Sequence, residues 1–362
     1  MFAYVLLLLI PFFVEAIETI LQPYKKVDFI SKRKNASIII FFIIFFIMLA
    51  LRSTSCGTDV RNYENFFYFS SKADFSDIFK DNKYIEPLYY ALNWCIVRIY
   101  PDFRVILVFV AFLSTFFLGL FYKNESEHAP LTILLFVTNA CFTIIFSGLR
   151  QAIAMQFMIP AYYFAKQKKL VPFILVVVLA TYFHLSALII LLLYPVFHMR
   201  LKNKHLIVVL SVIAITFIFR TQLFTVLFPL IGDKYSKYTN IGDTGGYSMF
   251  FFFVLWFMIS FIYPDEKKLN FEIRGLRNVI VLMTIIQSFA SIHTLAMRFN
   301  YYFIMLLPIA IPKILNRPKI GNENIVQLTK WFTVVFLFFF FIYTVYSNMG
   351  IKTIYPYKAY WE

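Results

Sequence analysis

Long apolar runs separated by short polar segments organise this chain from one end to the other. A bilayer-crossing helix needs about 20 apolar residues, within a range of about 17–25. Runs near that length occur at 2–21, 37–51, 104–122, 130–147, 149–165, 206–229, 249–263, 279–296, 298–312 and 331–348. Each predicts a membrane helix, the shorter ones extending into flanking polar residues. Two stretches admit two readings. Residues 86–100 (EPLYYALNWCIVRIY) either span or lie at the interface, and 170–197 form one long span or two short ones meeting near His184. Residues 66–85 mix aromatic and charged positions at helical spacing, which suits a short helix on the outer membrane surface. Residues 231–248 (IGDKYSKYTNIGDTGGYS) are rich in turn formers and read as an outer loop fit to act as a lid. Residues 2–21 lack a basic leader and a small-residue cleavage site, so they are expected as a retained first span.

Charge sets the orientation. Loop 24–34 carries Lys25, Lys26, Lys32, Arg33 and Lys34 against Asp28. Basic residues also dominate 198–205, 264–278 and 313–330. All four segments are expected on the cytoplasmic side. The cluster Lys166, Lys168 and Lys169 joins them if 86–100 does not cross fully and 170–197 crosses twice. The expected fold is then an all-α polytopic integral membrane protein, one transmembrane domain over 1–362 with about 12 spans. Segment 52–103, with an interfacial or re-entrant helix, the loop 231–248 and both termini would face away from the cytoplasm. A second topology with as many crossings puts Arg150 inside.

Composition agrees with a membrane fold. The chain is 61% hydrophobic, whereas soluble domains run near 45–50% apolar. Its 47 Phe and 24 Tyr suit lipid-facing walls and interfacial belts. The net charge of +15 lies in short loops between apolar runs, which fits anionic lipid headgroups rather than nucleic acid. Cys56, Cys95 and Cys141 have neither disulfide-framework nor metal-site spacing. Phosphate-loop, dinucleotide, zinc-protease and serine-elbow motifs are absent, and so are DxD and DDxxD. No metal or cofactor is expected. Metal-free group transfer from a lipid-borne phosphate, or transport, remains.

Candidate chemistry centres on Arg52-Ser-Thr-Ser-Cys-Gly57-Thr-Asp59-Val-Arg61-Asn-Tyr63. Two arginines, an aspartate, a glycine turn and a tyrosine suit an anionic, hydroxyl-rich ligand. In the favoured topology Arg52, Asp59, Arg61, Glu86, Arg150, His184, His293 and Arg298 all fall at extracytoplasmic ends of apolar segments. One arginine at a helix end more often snorkels to headgroups than binds a ligand, and a lone histidine such as His184 is more often a packed residue. The shared side singles the set out. His128, His198 and His205 read as solvated loop residues.

The order Arg52…Gly57-Thr58-Asp59…Tyr63, Glu86-Pro87-Leu88-Tyr89, Leu149-Arg150-Gln151-Ala152-Ile153-Ala154, Phe183-His184-Leu185-Ser186-Ala187 and Met297-Arg298-Phe299…Tyr301-Tyr302 resembles the EpsG-like group of Wzy-type polysaccharide polymerases. The resemblance runs from about residue 30 to about residue 310 and implies an architecture similar to C-type integral-membrane glycosyltransferases. It implies a bacterial inner-membrane enzyme that moves a growing glycan from undecaprenyl diphosphate onto a lipid-linked repeat unit. A Wzx-type flippase, a Wzz-type chain-length regulator and membrane lipids are the expected partners. Carried onto this chain, Arg150 and Arg298, with Arg52 or Arg61, would bind the diphosphate. Asp59, Glu86 or His184 would activate the acceptor hydroxyl. Tyr63, Gln151, His293, Tyr301 and Tyr302 would contact sugar. An O-antigen ligase and a lipid-linked oligosaccharide flippase are the competing readings.

Overall fold

The computed structural model describes residues 2–21, 35–78, 85–227, 247–321, 323–346 and 354–362. The basic loop 24–34 and all but the last two residues of the lid-like loop 231–248 lie outside the described residues. Among the described residues every regular element is helical, joined by two isolated backbone bridges. The chain forms two compact units. One comprises Met1–Ile159, Val178–Leu185 and Gln327–Glu362, the other Pro160–Val177 and Ser186–Val326.

In the first unit the helix Ala36–Ala50 packs against Phe2–Leu21 and Arg104–Glu125. Gly119 makes the second contact close, because the Phe42 side chain lies where a Cβ would project. Between the helices lies an aromatic core. Phe45 stacks on Phe142 with ring centroids 5.0 Å apart, and Phe41 meets Phe136 edge-on at 5.9 Å. Phe41, Phe45 and Phe142 are fully buried. These phenylalanines therefore build the interior, not only the lipid-facing wall that composition suggests. Each such pair contributes about 0.5–1.5 kcal/mol beyond its buried area.

Contacts tie these helices together at both ends. At one end Asn35 donates to the Lys123 and Ser126 carbonyls at 2.8 and 3.2 Å, and His128 meets Trp331 edge-on. At the other end Tyr357 donates to the Met48 carbonyl at 3.0 Å, and Ser53 N–H to the Lys358 carbonyl at 2.9 Å. His128 is not a solvated loop residue. Its Nδ1 accepts the Leu131 N–H and caps the helix Ala129–Val137. Burial, with Lys330 nearby, pulls its pKa down to about 4.

The second unit is built around the helix Phe271–Ser288, against which Tyr247–Ile262, Leu193–His198, Leu206–Ile218 and Thr294–Ile304 pack. Its buried face is polar and hydrogen-bonded. Arg277 donates to Asn203 Oδ1 at 2.8 Å, Asn278 to the Met199 carbonyl at 2.8 Å, and Asn300 to Gln287 Oε1 at 2.9 Å. The segment 198–205 is thereby folded onto the hub. His198 is part of this packing, 4.4 Å from the Tyr194 ring, while His205 Nδ1 accepts the Lys202 N–H. At the start of the hub Glu272 accepts from Tyr162 Oη and Lys166 Nζ, both at 2.8 Å, and from Lys313 Nζ.

Element lengths depart from the sequence expectation in several places. Three described helices, Arg104–Glu125, Phe271–Ser291 and Glu323–Val345, are long and apolar enough to cross a membrane. The number rises to five if each of two sharply bent pairs counts as one span. The other expected spans are shorter pieces. Run 149–165 breaks at Phe157, and 206–229 breaks at Phe219 into Leu206–Ile218 and Arg220–Leu227. The run 298–312 divides into Thr294–Ile304 and Leu307–Leu315, so Arg298 lies inside a helix and not in a turn. Pro87–Ile99 has 13 residues, too short to cross at 1.5 Å per residue. Residues 170–197 are two pieces, the helix Leu170–Thr181 and a 3₁₀ segment Leu185–Leu192 running into Leu193–His198. They meet at His184. The surface helix expected over 66–85 sits earlier, at Val60–Ser70, followed by a 3₁₀ turn at Phe75–Ile78. Residues 79–84 lie outside the described residues.

Candidate active site

The site in the first unit starts from two helix ends. The helix Ala36–Ala50 stops before Arg52, and the chain turns at Gly57, whose φ of +116° a side chain rarely adopts. A Cβ at Gly57 would also run into the Phe146 carbonyl. The Thr58 N–H donates to Ser147 Oγ at 3.2 Å, which fixes the turn to the end of the helix Ala140–Ser147. Asp59 then stands at the N-cap of Val60–Ser70, its carbonyl accepting the Asn62 and Tyr63 N–H groups. Arg61 and Tyr63 are therefore helical residues rather than loop residues. Arg61 is exposed, and Tyr63 is buried with its ring edge-on to Tyr89 at 5.6 Å.

Glu86 connects this wall to two others. It lies in extended conformation before Pro87, which begins the helix Pro87–Ile99. Its side chain does not cap that helix and is free to reach elsewhere. Oε2 accepts from Arg150 Nη1 at 2.5 Å. Oε1 accepts the Leu185 N–H at 3.2 Å and lies 3.3 Å from His184 Nδ1. The break at residues 182–184 makes this possible, because it ends one helix and presents the imidazole. The Leu88 N–H donates to the Tyr182 carbonyl at 3.1 Å and stitches the break to the start of Pro87–Ile99. Arg150, in the first turn of Leu149–Gln156, also places its guanidinium 5.7 Å from the Tyr63 ring centroid. Gln151 beside it is buried.

Glu86, Arg150, His184 and Tyr63 thus form one cluster, with Glu86 buried and Arg150 and His184 partly exposed. Glu86 is ill placed as a proton acceptor, since both of its oxygens are engaged. His184 is better placed. With Nδ1–H toward Glu86, Nε2 carries a lone pair and can take a proton. A carboxylate that fixes the tautomer of a histidine base is a recurring device. Tyr89 supplies no acid or base, because burial pushes its phenol well above the usual range. Arg52 has a different setting. It is fully buried where the C-terminal segment pairs with residues 51–53, and burial pulls its pKa to about 10, so it stays charged.

The remaining expected residues belong to the second unit. Tyr302 Oη and Ser186 Oγ share a buried hydrogen bond of 2.8 Å. His293 stacks on Phe224 at 5.4 Å, Arg298 is exposed and Tyr301 is half-buried. Sequence reasoning missed Ser147, Tyr89 and the Glu272 cluster. Glu272 had a signal, an acid in the otherwise basic stretch 267–277. Ser147 and Tyr89 had none beyond adjacency to residues already singled out. No grouping of His, Cys, Asp and Glu suited to hold a metal occurs among the described residues.

The structure is thus a multi-helical protein with apolar helices long enough to cross a membrane and a carboxylate joining an arginine and a histidine at a helix break. The family model described as EpsG family matches residues 35–359, nearly the whole chain, and the protein belongs to that family. The family is one of polysaccharide polymerase-like membrane proteins, associated with glycosyltransferase-like activity. Comparison with curated proteins and with solved structures gave no match.

Proposed function

We propose that this protein polymerises a surface polysaccharide, O-antigen or a related glycan, from lipid-linked repeat units. The bridging of Arg150 and His184 by Glu86 carries the reading. An acceptor sugar hydroxyl gives its proton to His184 Nε2 as its oxygen attacks the anomeric carbon of the donor. The bond from that carbon to the diphosphate oxygen breaks, and the leaving undecaprenyl diphosphate takes the electron pair. Arg150 meets the negative charge that develops there. Glu86 holds both groups and touches no substrate atom. Asp59 remains the alternative base. The family resemblance implies Arg298 and Arg61 as further diphosphate contacts. Tyr63, Gln151, His293, Tyr301 and Tyr302 are sugar contacts. No metal or cofactor takes part in this scheme.

In this reading the chain sits in the bacterial inner membrane with about 12 crossings, several made by paired short helices, and the site faces the periplasm. A Wzx-type flippase delivers the repeat units and a Wzz-type regulator sets chain length. A deletion strain tests the assignment. Loss of a polymerase leaves glycans of one repeat unit, restored to ladders by the wild-type chain and not by Arg150→Ala. Core lipid without any repeat unit would point to a ligase, and repeat units trapped inside the cell would point to a flippase.

A further inference from the structure

Arg52 is the most completely buried cation near the site, with 2% of its surface exposed. Its Nη1 donates to the Leu49 carbonyl at 2.7 Å and so closes the C-terminal end of helix 36–50, where a cation suits the helix dipole. The Phe146 ring lies 5.7 Å from the guanidinium. Its Nε and Nη2 are buried and meet no hydrogen-bond partner among the described residues. Nor does a described carboxylate pair with it. Nε and Nη2 form the side-on edge of the guanidinium, the edge that meets two oxygens of one phosphate.

The C-terminal segment pairs with the backbone around Arg52. Arg52 bridges antiparallel to Ala359. The Ser53 N–H donates to the Lys358 carbonyl and the Tyr360 N–H to the Leu51 carbonyl, both at 2.9 Å. The Lys358 N–H reaches Cys56 Sγ at 3.3 Å. Tyr357 anchors on Met48. A short segment held by a few such bonds belongs to the low-stability part of a fold, whereas an arginine buried with two unmet nitrogens is costly. The covered arrangement is therefore poised to open toward an anion. The family match extends to Ala359 and so takes in most of this segment.

We propose that residues 354–362 are a strap over a phosphate site, and that Arg52 binds a phosphate group of the donor when the strap lifts. The proposal rests on the reading of the donor as a lipid diphosphate, but its test needs no donor lipid. The purified full-length protein in detergent is titrated with inorganic pyrophosphate and followed by thermal shift. The double variant Tyr357→Phe with Lys358→Pro loosens the strap, and it should bind pyrophosphate about tenfold more tightly than wild type. Adding Arg52→Gln should remove that gain. Equal binding by loosened and wild-type protein, or a gain that survives Arg52→Gln, overturns the proposal. If the loosened protein does not fold, Lys358→Cys can be oxidised onto Cys56 with the other two cysteines changed to Ser. The crosslink should weaken pyrophosphate binding and reduction should restore it. Binding unchanged by the crosslink also overturns the strap. Polymer ladders from Arg150→Ala judge the polymerase reading separately.

Discussion

Glu86 and Glu272 are both carboxylates shared between cations, one in each unit, yet their surroundings differ in kind. Glu272 accepts from two lysines and a tyrosine that come from two separated helices, Met158–Lys166 and Leu307–Leu315. Each partner is a hydrogen-bond donor to it, so the group works as a staple. Glu86 accepts from one arginine and one backbone N–H, and turns its remaining capacity toward an imidazole. Of the two clusters, this one alone sets an imidazole beside an arginine. A carboxylate between cations has a structural use at Glu272, so the histidine is what sets the Glu86 cluster apart.

Substitutions should separate the two clusters. The largest effect is expected from Arg150→Ala, which should cut polymer formation by about 10²–10³-fold with the protein still present in the membrane. Quantified glycan ladders against protein abundance check this. Next comes Glu86→Gln, which keeps the shape and loses the charge. Polymerisation should fall by about 10²-fold or more, the scale of general-base assistance. Glu272→Gln should act in the opposite way. It leaves two lysines without their anion and should lower stability by roughly 1–3 kcal/mol, a buried-pair loss discounted for partial exposure. Thermal melts would register it, while activity per folded molecule stays the same. A Glu272 variant that folds normally and makes no polymer would break the comparison.

The smallest effect concerns His128, a histidine with no part in the site. Its folded pKa is depressed to about 4, against an ordinary value of about 6.5. Stability from this group is therefore complete above about pH 6.5. It is lost as pH falls toward about 4, because protonation removes the acceptor at Nδ1 and adds charge beside Lys330. Melting temperature against pH should show that slope in wild type and a shallower one in His128→Gln.

Much of this was legible from hydrophobic pattern and charge. The apolar runs marked where helices lie, and Asn35 and Arg52 flank the two ends of the helix Ala36–Ala50. The pattern failed where one polar residue interrupts a run long enough to read as a single span. The breaks at Phe157 and Phe219 stand beside Gln156 and Arg220, and hydropathy averaged over a span does not see them. Arg150, His184 and Glu86 were chosen singly from their places at segment ends. Their convergence depends on the turn at 182–184 and on the extended backbone of Glu86, which are tertiary facts. The sealing of Arg52 by residues more than 300 positions away had no local signal at all.

The coupling between Glu86 and His184 offers the most direct test. Polymerisation rates are measured for Glu86→Gln, His184→Gln and the double variant, each corrected for protein abundance. Groups that act as one unit lose their function once, so the double variant should fall within about threefold of the more impaired single variant. Losses that multiply in the double variant would show two independent contributions and contradict a carboxylate that works through the histidine.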